Sequence, residues 1–92
     1  MAILLSTTEI QTQLSQVPQW QHQGATLVQT KTFGNFVEAI KFVNALVDPA
    51  ETRNHHPDIA ISYNKVTITL TSHDAGGLTA LDFDLAQAID RL

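Results

Sequence analysis

Apolar residues alternate with small or polar ones twice in the second half of the chain. The first run is Ile59-Ala60-Ile61-Ser62-Tyr63 and the second Val66-Thr67-Ile68-Thr69-Leu70. Period-2 patterning rich in β-branched residues predicts two strands. The dipeptide Asn64-Lys65 between them predicts a tight hairpin turn. In that register Tyr63 opposes Val66, Ile61 opposes Ile68 and Ile59 opposes Leu70, all on one face. Ala60, Ser62, Thr67 and Thr69 take the other face. Extending the ladder places His56 opposite His73.

Helical spacing governs three other stretches. Ser6 to Glu9 has the form of a capping box, with Leu5 and Ile10 as a hydrophobic staple. Ile10, Leu14 and Val17 follow as an apolar stripe that Pro18 ends. Phe36, Ile40, Val43 and Val47 recur at helical spacing, with Asn35 as N-cap and Ala39 and Leu46 flanking. Pro49 interrupts this helix, which either kinks there or restarts with Asp48 as a new cap. Leu85, Ile89 and Leu92 form the last stripe, capped by Thr79 with Asp82 three residues on. Between the first two helices, Trp20 to Phe33 reads as two short strands turning at Gln23-Gly24. Leu27 and Phe33 lie on one side of the second, and Lys31 shares it. The order α-β-β-α-β-β-α predicts an α+β fold in one domain over residues 1–92: a four-stranded antiparallel sheet with helices packed on one face.

Composition narrows the function classes. The chain has 92 residues, 43% of them hydrophobic and 15% charged, as in a globular domain. The net charge of −4, with five basic residues, argues against binding a nucleic-acid backbone. With no cysteine, disulfides, thiolate nucleophiles and cysteine-based zinc sites are excluded. No apolar run approaches the ~20 residues of a membrane span. The N-terminal Met-Ala-Ile-Leu-Leu-Ser lacks a basic signal-peptide start, so a cytoplasmic location is expected.

The candidate chemistry lies in histidines. His55 and His56 are adjacent, just before Pro57, and His73 follows the last strand. The fourth, His22, sits near a turn as an exposed side chain. Imidazoles exchange protons near neutral pH, and a carboxylate such as Glu51, four residues before His55, orients such a ring. Proton transfer, a three-histidine zinc site and a purely structural role all fit these residue types. No nucleophile motif supports covalent catalysis, and Gly76-Gly77 is too short for a phosphate loop.

One series of residues resembles a known family. Glu51, His55-His56-Pro57-Asp58, Tyr63, Val66, Thr71-Ser72-His73, Gly77-Leu78-Thr79, Asp82 and Leu85-Ala86 stand at the spacing of the pterin-4a-carbinolamine dehydratases. Upstream, Ser6, Glu9, Pro18, Trp20, Phe33 and Asn35 to Ala39 fit as well. The resemblance implies a four-stranded antiparallel sheet with helices on one side, and a homodimer or homotetramer. It implies dehydration of 4a-hydroxytetrahydropterin to quinonoid dihydropterin, in tetrahydropterin recycling, without metal or organic cofactor. It assigns catalytic roles to His55, His56, His73 and Glu51, and substrate contacts to Pro57, Thr71, Ser72 and Asp82. The chain departs from the pattern at Ile59, where an aromatic is usual, at Gln29 and Lys31 in the second strand, and at Pro49. Relatives of the family that act as binding or assembly modules supply the alternative: a non-catalytic module with a protein partner.

Overall fold

The structure is a computed structural model that describes residues 3–92. Its elements are α1 (Thr7–Leu14), β1 (Gln21–Gln23), β2 (Thr26–Thr32), α2 (Phe36–Ala45), α3 (Val47–Arg53), β3 (Asp58–Ser62), β4 (Lys65–Leu70) and α4 (Ala80–Asp90). With α2 and α3 joined, this is the predicted order. The four strands form one antiparallel sheet in the order β1-β2-β4-β3. The buried side chains Leu27, Val66, Ile68 and Leu70 leave one face of the sheet to meet Ala39, Phe42, Leu46, Phe83, Leu85 and Ile89 of the helices.

The helix starts follow the sequence. Ser6 accepts a hydrogen bond from the Glu9 N–H, and the Glu9 carboxylate accepts one from the Ser6 N–H, a complete capping box. Hydrogen bonding from the Ser6 backbone N–H, and then from the Ser6 side chain, holds the Glu9 carboxyl below its ordinary range. The folded-state pKa is depressed, so this contribution is present above pH 4.5 and is lost as pH falls through the lowered value. Ser6→Ala should cost about 1 kcal/mol in a thermal or urea unfolding measurement at neutral pH. Thr79 and Asp82 form a second capping box at the start of α4.

The hairpin differs from the sequence reading by a shift of two residues. Ser62 pairs with Lys65, Ile61 with Val66 and Ile59 with Ile68. The turn is therefore Tyr63-Asn64, with Tyr63 at φ 52°. A tether explains the choice. The Asn64 side-chain amide donates to the Phe33 carbonyl, and the Phe33 N–H donates to the Asn64 carbonyl. These two bonds bolt the turn to the end of β2 and offset the left-handed backbone at tyrosine, a cost of about 1–2 kcal/mol. A shift of two keeps the predicted faces but removes the pairing of His56 with His73. The second hairpin thus turns one residue early; the first turns one residue late, at Gly24-Ala25, where Gly24 supplies φ 58°.

Three helix details also differ. The break after α2 falls at Leu46, whose N–H donates to the Val43 carbonyl in a tightened turn. Pro49 lies inside α3, and Asp48 is not its cap. On α2 the buried stripe is Ala39-Phe42-Leu46, while Phe36, Val37 and Val47 are exposed. Two adjacent apolar stripes run along this helix, and the sheet takes the one that presents Phe42. That ring packs 5.1 Å from Phe33 and lies under the Lys31 ammonium at 5.2 Å, which explains an apparently misplaced lysine on the core side of β2. On α4 the stripe stops at Ile89, with Leu92 exposed.

Candidate active site

The junction between α3 and β3 separates the two adjacent histidines. Asn54 ends α3 in the left-handed conformation, φ 48°. The His55 N–H donates to the Ala50 carbonyl and the Asn54 N–H to the Glu51 carbonyl, a Schellman closure. Pro57 then holds the chain extended into β3. The reversal sends the two rings to different carboxylates. His55 Nε2 lies 2.6 Å from Asp82 Oδ1, across to α4. His56 Nε2 lies 2.5 Å from Glu51 Oε2, back on α3. The sequence reading paired Glu51 with His55 on one helical face. The left-handed residue between them ends that face, and Glu51 meets His56 instead.

The two pairs sit in different surroundings. Glu51 and His56 are both largely exposed. Asp82 is fully buried and the His55 side chain is 12% exposed. The second Asp82 oxygen accepts from the Ser72 hydroxyl at 2.8 Å and from the Thr79 N–H at 2.9 Å. Three polar partners thus surround a carboxyl group withdrawn from water, as a buried polar group requires.

The remaining candidates are dispersed. His73 is exposed, in a loop closed by the bridge between Ser72 and Gly77. The Thr71 hydroxyl donates to the Ala25 carbonyl, and that of Ser72 to Asp82, so both hydroxyl hydrogens are engaged within the chain. Ser72 and Asp82 lie too deep for direct contact with a ligand in this structure. His56, Glu51, Pro57 and Ile59 border an open cleft of about 230 Å³, floored by apolar residues such as Leu46 and Ala50. His55 and His73 do not line it. A larger recess, about 590 Å³, lies between the Ile3–Leu5 segment and the start of α4, and none of the candidate catalytic or substrate-contact residues lines it. Among the described residues no group of three or more histidines and acids stands close enough to hold a metal ion. Also among them, no helix is long and apolar enough to cross a membrane.

Sequence reasoning missed the Asn54 closure and the bridge from Ser72 to Thr79. The first had a signal in asparagine at the end of a helix, before a proline-restrained segment. The second had none, because a hydroxyl pair seven residues apart carries no periodicity.

Residues 3–92 match the family described as Pterin 4 alpha carbinolamine dehydratase. The chain belongs to that family. A protein of Cyanothece sp., provisionally named a pterin-4-alpha-carbinolamine dehydratase, is 61% identical over the whole chain and 95% of its own length. One of Picosynechococcus sp. with the same provisional name is 60% identical over the full length of both. Among solved structures, a transcriptional coactivator/pterin dehydratase from Brucella melitensis superposes with a TM-score of 0.89 at 28% identity, covering 95% of each chain. A pterin dehydratase-like protein described as a RuBisCO assembly factor in the alpha-carboxysome superposes with a TM-score of 0.66 at 27% identity. It covers 78% of this chain and 86% of its own. Pterin dehydratases and a dehydratase-like assembly factor therefore share this fold.

Proposed function

We propose that the chain dehydrates 4a-hydroxytetrahydropterin to the quinonoid dihydropterin, in the recycling of a tetrahydropterin cofactor. One observation carries this reading: two neighbouring histidines, each held by its own carboxylate, in a member of the dehydratase family. The reaction is redox-neutral. The C4a–O bond breaks and the hydroxyl leaves as water after taking a proton. N5 gives up its proton, and the electron pair of that bond becomes the N5–C4a double bond. One histidine of the set His55, His56 and His73 protonates the leaving hydroxyl, while another accepts the N5 proton. Glu51 orients His56, and the cleft beside Pro57 and Ile59 takes the flat ring of the substrate. The chain works as a homo-oligomer, a reading supported by the apolar side chains left exposed at Phe36, Val37, Val47, Ile61 and Tyr63.

The family relatives also support a second reading, a binding or assembly module without turnover. The solved assembly factor and coactivator share the fold, and the exposed stripe on α2 would serve a protein partner as well as a second copy.

The first reading is tested by following dehydration of 4a-hydroxytetrahydropterin, generated in situ, with the wild type and Glu51→Gln. An exposed contact of this kind contributes about 0.2–1 kcal/mol, so the variant should lose no more than roughly fivefold in rate. No acceleration by the folded wild type would remove the enzymatic reading. A loss in Glu51→Gln far beyond tenfold would mean that Glu51 takes part in the chemistry itself.

A further inference from the structure

Asp82 is inaccessible to a ligand, and of the three groups that meet its carboxyl only the Thr79 N–H belongs to the helix cap; the Ser72 hydroxyl and the His55 ring come from elsewhere. Donor accounting gives this cluster a sense. The Leu81 N–H donates to Thr79 Oγ1. The Thr79 and Ser72 hydroxyls are 2.8 Å apart, and both residues are buried. The Ser72 hydroxyl has one hydrogen, and its bond to the Asp82 carboxylate consumes it. Thr79 must then donate to Ser72. The chain of donors runs from Leu81 N–H through Thr79 and Ser72 to Asp82 Oδ2. Oδ1 is left for His55, and a carboxylate only accepts. The hydrogen between them therefore belongs to His55 Nε2.

That assignment leaves Nδ1 as the working nitrogen. The His55 ring makes one hydrogen bond among the described residues, through Nε2. Among these residues, Gln29 Oε1 is the only buried side-chain polar atom without a partner. Nδ1 of His55 has none either, so it must reach solvent through the 12% of the side chain that remains exposed.

We infer that Ser72, Thr79 and Asp82 are positioning residues that lock His55 as its Nε2–H tautomer. Nδ1 is thereby the atom that exchanges protons with a ligand. The kinetic consequence rests on the proposed dehydration; the tautomer does not.

Asp82→Asn is the decisive variant. The asparagine oxygen keeps the Ser72 and Thr79 N–H donors, so the helix cap survives. Its amide nitrogen then faces His55 and donates to Nε2. Nε2 must accept, and the neutral ring carries its hydrogen on Nδ1 instead. Imidazole nitrogen NMR reads this directly, with His55 identified by its loss in His55→Gln. The wild type at a pH where the ring is neutral should show the Nε2–H tautomer, and Asp82→Asn the Nδ1–H tautomer. If the chain is a dehydratase, kcat should fall by roughly 10²- to 10⁴-fold in Asp82→Asn with KM little changed, the scale of a misplaced acid–base tautomer. Ser72→Ala leaves the Thr79 N–H on Asp82. It should keep the wild-type tautomer and lose about tenfold or less in kcat. A wild-type ring protonated at Nδ1 would overturn the inference, even if Asp82→Asn failed to fold. So would a folded Asp82→Asn with an unchanged tautomer. A wild type with the Nε2–H tautomer but no dehydration would defeat the proposed function and leave this assignment standing.

Discussion

Replacing His55 by alanine should lower the dehydration rate by two orders of magnitude or more, and His73→Ala should do the same. A positioned acid or base contributes about 10²- to 10⁴-fold, and a hundredfold loss corresponds to roughly 2.7 kcal/mol of barrier. Neither loss should come from unfolding. Asp82 keeps the Ser72 and Thr79 donors when His55 is removed. His73 is exposed, and an exposed substitution typically changes stability by less than about 0.5 kcal/mol. The pair of variants also tests whether substrate draws the site together. His55 reaches to α4, His56 to α3, and His73 stands in the Ser72–Gly77 loop, so a substrate served by all three would have to bridge these elements. Rates within threefold of the wild type for both variants would sink the assignment of acid and base to these side chains.

Phe83→Ala should destabilise the fold by about 3–5 kcal/mol, read from the urea midpoint at constant slope. The ring is 1% exposed and lies in the shared core with Leu27, Ile68 and Leu70. A domain of this size has roughly 5–15 kcal/mol in total, so one side chain carries a large share. The expected consequence reaches the site. Phe83 follows Asp82 on α4, and the helix that it anchors is the one that brings the carboxylate to His55. A cost below about 1 kcal/mol would mean that α4 is not held by this contact.

Much of this architecture is legible in the residues because short-range chemistry dictates it. Ser6 and Glu9, and Thr79 and Asp82, cap their helices at the spacing the motif demands. Val66, Ile68 and Leu70 alternate into the core in a strand of the expected length. The errors arose where a distant contact outweighed a local preference. Asn64-Lys65 is a plausible turn by itself, yet the bonds between Asn64 and Phe33 move the turn to Tyr63-Asn64. Either apolar stripe of α2 could face the sheet, and Phe33 with Lys31 selects the one carrying Phe42. At the candidate site, residue types and spacing singled out the histidines and Glu51. Their partners depended on Asn54, whose left-handed backbone sends His55 to Asp82 and His56 to Glu51. Asp82 reads in sequence as a helix-capping acid and an acidic position of the family. Only the packing of α4 against the end of α3 gives it a histidine.

We propose acid–base catalysis for this dehydratase-family chain. It is tested most directly by the rate of 4a-hydroxytetrahydropterin dehydration with the wild type beside a variant in which His55, His56 and His73 are all alanine. The wild type should turn over rapidly and the folded variant should stay near the background rate. A folded wild type that leaves the spontaneous rate unchanged would contradict it and turn attention to the exposed α2 stripe and a protein partner.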